Sequence, residues 1–422
     1  MRLFPNRSVA VAFLIPLLFV LVYRGILPAF TQMDTDFPNY YTAGKIVARG
    51  GDVGRMYDDD WFGLQLQANG FSQPGKFSPF PPPTVLLFVP LASLNPLTAL
   101  RAMTVLNCFL LLLSIILLSR VLSFSIIEAA VFCLLSGIGL INCFRFGQLY
   151  IVVSFSILLG YYFYTRNKPV LAGICLGILV PVKYYPIVFI IGFAMMKQWR
   201  IVLASLVTIL FVCAASVVVL GTEIHLQYLD SVLGNHLLSH FSNQNLFSPA
   251  FQSWDSLLRT LLVYDEVLNP NPLLDSHAAF LLLKSAIIML FAALTAYAMW
   301  RVWLSRQMES IRLAFPLLGV LALLIAPGTA TYHYLLLWLP IGILLSTMWD
   351  RDRLGIFWLT LALYALIGFI PYAFFRQFDG QGILTLIAYP RLALLAGLFV
   401  LCLRMSLRIT NPIEDHVESI GV

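Results

Sequence analysis

Apolar runs long enough to cross a membrane recur from one end of this chain to the other. They fall at roughly 8–29, 97–119, 124–142, 148–165, 169–182, 185–197, 201–220, 278–304, 313–326, 331–348, 354–374 and 385–404. A helix needs about 20 apolar residues to cover ~30 Å of hydrocarbon, and inside lipid it must satisfy its backbone polar groups within itself. The runs therefore predict an all-α polytopic membrane protein with about 12 transmembrane helices. Composition agrees: 60% of the residues are hydrophobic and 11% charged, at a mean hydropathy of +0.87, too little charge to wet a soluble protein of 422 residues. The net charge of +6 fits lysines and arginines facing a cytoplasm and makes no case for a nucleic-acid partner.

Several segments qualify that pattern. The first run follows Arg2 and Arg7 and has no small-residue cleavage site after it, so it reads as a retained signal-anchor. The runs 169–182 and 185–197 are short, which predicts either broken helices meeting at "PVKYYP" (181–186) or a hairpin that does not cross. The stretch 83–94 is too short and too rich in proline to span, and reads as an interfacial helix. The six cysteines lie in or beside apolar runs without a close pair, as small core residues do.

Orientation follows from the basic residues. With the N-terminus inside, Arg2, Arg7, Arg120, Arg166, Lys168, Lys197, Arg200, Arg301, Arg306, Arg312, Arg351, Arg353, Arg404 and Arg408 all fall on the cytoplasmic side, 14 of the 26 Lys and Arg. The expected organisation is a single integral membrane domain over 1–422, with long outer loops at 31–96 and 221–277 and a cytoplasmic tail at 405–422. Both termini are then cytoplasmic, and the outer loops face the periplasm or cell exterior, most simply of a bacterial inner membrane.

The same topology sends a set of polar residues outward at membrane-end positions. They are Asp34, Asp36, Tyr40 and Tyr41 in the first loop; Arg145 and Gln148 in "NCFRFGQLY" (142–150); Lys183; Asn243, Gln244, Trp254 and Arg259 in the second loop; His333 in "APGTATYHY" (326–334); and Arg376 after the eleventh span. Charges near hydrocarbon are costly unless paired, wetted or used, so their convergence on one face points to a site. His236 and His240 stand four apart, as ligands on a helix would, but no third ligand accompanies them and a wetted helix face is the simpler reading.

The order of short motifs resembles glycosyltransferase family 87. They are "DF-x-x-YY-x-A" after the first span, "F-x-P-F-x-P-P", "GQ" at the head of a span, "K-x-x-P" between two short spans, "NQN…R" in the second outer loop and "P…YHY". The resemblance runs from about residue 34 to about 340, and departs where Asn245 stands in place of an expected serine. It implies a GT-C-like bundle and a hexosyltransferase, typified by polyprenyl-phosphate-mannose-dependent mannosyltransferases. The implied partners are a polyprenyl-phosphate sugar donor, a glycan or glycolipid acceptor and the bilayer itself.

Such a reaction needs a base for the acceptor hydroxyl, positive charge for the departing phosphate, and an apolar groove for the prenyl tail. By the resemblance Asp36 is the base; its competing reading is a solvated acid at a helix N-terminus. Lys183, Arg145, His333 and Arg259 are the candidates for the phosphate, against snorkelling, loop and interfacial-belt roles. Tyr40, Tyr41, Gln148, Asn243 and Gln244 are the candidates for the sugar and acceptor. No cofactor is expected, although Asp34 with Asp36 forms a D-x-D spacing that leaves a divalent cation open. A transporter or flippase of a lipid-linked or small polar substrate is the alternative from another class. Transporters, however, concentrate polar groups near the midplane and often in two matching halves, which this chain lacks. A glycan polymerase or ligase stays close to the first reading in chemistry.

Overall fold

The computed structural model describes residues 6–33, 36–122, 124–234, 245–305, 308–350 and 353–409. It is helical, and among the described residues the only strand-like pairing is an isolated bridge between Asp265 and Asn269. The helices used below are α1 (Arg7–Ala29), α2 (Asp36–Ala48), α3 (Asp59–Ala68), α4 (Pro96–Leu122), α5 (Ile126–Leu134), α6 (Ile138–Arg145), α7 (Tyr150–Thr165), α8 (Pro169–Gly177), α9 (Ile187–Met195), α10 (Trp199–Leu220), α11 (Trp254–Leu262), α12 (His277–Ser305), α13 (Met308–Leu324), α14 (Trp338–Asp350), α15 (Leu354–Phe369) and α16 (Pro390–Ile409).

Six described helices are long and apolar enough to cross a membrane, or eight if each of two sharply bent pairs counts as one span. The protein is thus an integral multi-pass membrane protein, and among the described residues fewer helices are of full spanning length than the twelve runs of its sequence. The difference has local causes. The run 124–142 becomes two helices, α5 and α6, bent by 78°, and the run 354–374 breaks by the same angle after α15. The two bends touch. Gly137 sits at φ +54°, and a Cβ there would stand 2.5 Å from the Gly368 carbonyl oxygen, while a Cβ on Gly368 would stand 2.1 Å from that of Leu135. Only residues without side chains allow the backbones to meet this closely. Trp338 then donates to Ser136 Oγ at 2.8 Å, pinning the bend to the buried helical segment Thr331–Trp349.

The short runs on either side of "PVKYYP" form α8 and α9, nine residues each, separated by an irregular break. The stretch 83–94 is two 3-10 turns, Pro82–Leu87 and Val89–Ser93, rather than one helix, because prolines remove the donors a helix needs. Capping follows ordinary rules elsewhere: Asn6 caps α1, Asp58 caps α3, and Ser125 with Glu128 forms a capping box on α5.

The connection between α1 and α4 holds the first part of the site. Helix α2 is buried over most of its length although it is not a span. It lies against the second 3-10 turn because Gly44 permits it; a Cβ there would stand 2.7 Å from the backbone of Phe88. Tyr41 donates to the Leu94 carbonyl at 2.7 Å and Lys45 donates to that of Ala92, so one face of α2 is bolted down. Asp36 and Tyr40 stand one turn apart on the neighbouring stripe of α2; Asp36 lines the cavity described next, and Tyr40 is stacked against Phe88 behind it.

Candidate active site

A cavity of about 1140 Å³ opens among the segments that connect the helices. Asp36, Lys183, Tyr332 and His333 line it together. One wall is polar and comes from α3 and the loop after it: Asp59, Asp60, Gln67, Gln73 and Lys76. Another is largely apolar and includes Tyr184, Tyr228, Val232, Leu233, Leu246 and Phe251.

Three backbone devices bring the central groups together. Asp36 opens α2, so its carboxylate lies at the positive end of the helix dipole. Gln148 follows Gly147, whose φ of +61° and contact with Phe37 let the turn between α6 and α7 lie against α2. Lys183 sits in the break between α8 and α9, where its N–H donates to the Leu179 carbonyl at 2.8 Å and the neighbouring Val182 carbonyl accepts from Thr84.

The side chains then connect. Gln148 donates from Nε2 to Asp36 Oδ2 at 2.7 Å. Tyr40 donates its hydroxyl proton to Gln148 Oε1 at 3.2 Å, and Lys183 Nζ donates to the Tyr40 oxygen at 3.3 Å. The ammonium also lies 4.6 Å from the Phe80 ring centre and 5.4 Å from that of Tyr150, a cation among aromatic faces. Burial pushes the Asp36 carboxyl above the usual range, opposed by the Gln148 hydrogen bond and the Lys183 charge. Burial likewise pulls Lys183 down to about 8, against the pull of Asp36.

His333 Nδ1 receives the Ala330 N–H at 3.1 Å and faces the Tyr185 hydroxyl at 3.1 Å. A backbone N–H can only donate, so Nδ1 is an acceptor and Tyr185 donates to it. The ring proton is therefore on Nε2, and His333 carries a fixed N–H donor.

A second charged group touches the same cavity. Asp255 on α11 lines it, while Lys284 of α12 holds Oδ1 at 2.5 Å and Arg259 approaches Oδ2 at 3.4 and 3.5 Å. The Arg259 guanidinium lies 4.6 Å from the Phe280 ring centre.

A model of glycosyltransferase family 87 matches residues 79–327, more than half of the chain. The chain belongs to glycosyltransferase family 87. Comparison with curated proteins and with solved structures gave no match. The matched segment of this family 87 glycosyltransferase contains Phe80, Gln148, Lys183 and the Asp255 group; Asp36 and His333 lie outside it and reach the cavity through the fold.

The residues singled out from sequence divide accordingly. Asp36, Lys183 and His333 line the cavity. Tyr40 and Gln148 stand behind them, fully buried, with their polar atoms engaged by each other and by the lining groups rather than turned into the cavity. Tyr41 spends its hydroxyl on Leu94, and Trp254 packs near Phe291. Arg259 is drawn to Asp255 because the two stand one helical turn apart on α11, and neither it nor the half-buried Arg145 lines the cavity. Asp34, His236, His240, Asn243 and Gln244 fall outside the described residues. Among those described, no group of three or more His, Cys, Asp or Glu could hold a metal ion.

Sequence reasoning passed over Asn142, Tyr150, Tyr185 and Tyr332, all of which line the cavity. Tyr332 adjoins His333 in "YHY" and Tyr185 stands two residues after Lys183 in "KYYP", so both lay close to flagged residues. Lys284 gave no signal, since one lysine near the end of a long apolar helix reads as snorkelling.

Proposed function

We propose that this glycosyltransferase moves a hexose, mannose being the first candidate, from a polyprenyl-phosphate donor to a hydroxyl of a glycan or glycolipid acceptor, with inversion at the anomeric carbon. The observation that supports the reading is the pairing of one carboxylate and one lysine on the same cavity wall, linked through Gln148 and Tyr40.

The acceptor oxygen attacks the anomeric carbon, and its proton passes to Asp36. The bond from that carbon to the phosphate oxygen breaks, and its electron pair leaves with the phosphate. Lys183 and the Nε2–H of His333 supply positive charge and a donor for the oxygen on which charge grows. Asp36 does not compete for this role, since a carboxylate repels phosphate. The apolar wall at Tyr184, Tyr228, Val232 and Leu233 suits the prenyl chain, and the polar α3 wall suits a hydroxylated acceptor. The basic short connections lie in sequence between the cavity-bearing ones, which by the positive-inside rule supports the reading that this chemistry occurs on the outer face. If a divalent cation takes part, Asp34 and Asp36 are the residues that would hold it.

The test is transfer by purified protein in lipid, offered polyprenyl-phosphate hexoses or nucleotide sugars, with and without chelator. Release of polyprenyl phosphate coupled to acceptor glycosylation is expected. Use of nucleotide sugars alone, or movement of intact donor across the bilayer without transfer, would overturn the reading.

A further inference from the structure

We propose that Tyr40 and Gln148 are positioning residues, forming a one-way hydrogen-bond chain behind the cavity wall that couples Asp36 to the donor-phosphate site at Lys183. The inference rests on the reading of Asp36 as the base and Lys183 as the phosphate ligand.

Chemistry alone fixes the direction of every link. An ammonium has only donors, so the Tyr40 oxygen must accept from Lys183 at 3.3 Å. Tyr40 has one proton to give, and it goes to Gln148 Oε1 at 3.2 Å. That orients the amide with Nε2 toward Asp36, where at 2.7 Å it meets an acceptor. The flipped amide would set an oxygen against a carboxylate, which has no proton to give, and would leave the Tyr40 proton without its acceptor, so the observed orientation is the one that satisfies both ends. Three bonds thus run the same way, from cation to anion, and each polarises the next. The two linking residues are almost wholly excluded from solvent, at 0% and 1% exposure, and do not line the cavity, whereas the two groups they join do. The Gln148 backbone is held as well, by its N–H on the Cys143 carbonyl at 2.9 Å.

The coupling has a consequence for catalysis. In the donor-free protein the positive head of the chain holds Asp36 in its charged form and steadies its orientation. When phosphate draws the Lys183 ammonium toward itself, that head weakens, and Asp36 becomes a stronger base at the moment an acceptor proton needs a home. The other groups facing this pair are Tyr332 and His333 from the segment Thr331–Leu337, Cys143 from α6, Tyr150 from α7 and Tyr185 from the break that holds Lys183. None of them provides a second bonded path between Lys183 and Asp36 among the described contacts.

Tyr40→Phe is the test, because it removes one oxygen and leaves the ring against Phe88 and Phe80. The acidic limb of kcat/KM for donor reports the donor-free protein. Loss of the chain destabilises charged Asp36, so this limb should move upward by roughly half to one pH unit. The limb of kcat, where phosphate has already engaged Lys183, should move less, and KM for donor should stay within about threefold. Gln148→Met breaks both inner links and should enlarge the shift. If Tyr40→Phe leaves both limbs in place, or moves them equally, the chain is only structural and the proposal fails, whether or not Gln148→Met folds. An Asp36→Asn control separates the two readings: near-normal turnover there removes the base assignment itself.

Discussion

Two buried charge clusters touch the same cavity, and they differ in how fully they are satisfied. Asp255 is matched by two cations, Lys284 at 2.5 Å and Arg259 at 3.4 Å, and Arg259 is further covered by the Phe280 ring. Asp36 has a neutral amide against it, and its cation stands three bonds away through Gln148 and Tyr40. In the first cluster the carboxylate is matched directly by two cations already in place, and it reads as a brace between α11 and α12. The second holds a carboxylate and an ammonium apart across a wall, each with capacity left for a substrate. From sequence both look alike, as charges near a membrane edge that must be paired, wetted or used. The difference lies in whether the partner is in place before the substrate arrives.

The comparison can be broken most forcefully at the brace. Asp255→Ala leaves Lys284 and Arg259 without their anion in a buried setting, which costs about 3–5 kcal/mol. A marked loss of thermal stability in detergent is expected, while turnover per folded molecule stays within a few-fold. A stable Asp255→Ala protein without transfer would make this cluster catalytic.

Lys183→Met comes next. It should weaken donor binding by one to two orders of magnitude, the worth of a charge-assisted bond of about 1.5–3 kcal/mol, with little change in melting. The same residue sharpens the contrast through pH. Burial sets Lys183 at about 8, and it binds phosphate only when protonated, so donor affinity should hold below about pH 8 and fall above it. The phosphodiester does not titrate there, and the Met variant should lack the fall. A pH-independent donor affinity in the wild type would return Lys183 to an interfacial anchor.

The smallest effect belongs to Tyr41→Phe. Its hydroxyl bonds the Leu94 carbonyl, away from the cavity, so about 1 kcal/mol of stability and no measurable change in turnover are expected. A tenfold fall in transfer from this variant would mean that both stripes of α2 serve the site.

Much of the membrane character was legible, because apolar run length is a one-dimensional property that hydrocarbon thickness converts directly into a span. The bends were not. Gly137 and Gly368 lie 231 positions apart, and their meaning appears only when the two backbones touch. In the site, Asp36, Lys183 and His333 could be found because motif order and side both pointed to them. The placement of Gln148 could not, since an amide beside a cavity and an amide behind its wall have the same sequence; burial and bond direction separate them. The pairing of Arg259 was legible but not weighed. Asp255 stands four residues before it, the spacing of an i,i+4 pair on a helix, and that pairing outweighs an appeal to phosphate.

The account turns on Asp36 acting in the chemical step rather than in binding or folding. The most direct measurement is turnover of Asp36→Asn in lipid, with donor affinity and melting recorded on the same preparation. The amide keeps the size and a hydrogen-bonding oxygen but cannot take the acceptor's proton near neutral pH. Transfer should fall by at least about a hundredfold, the lower range of general-base effects, with donor affinity and melting close to wild type. Near-normal turnover would contradict the account, and so would a loss fully explained by weaker donor binding or by unfolding.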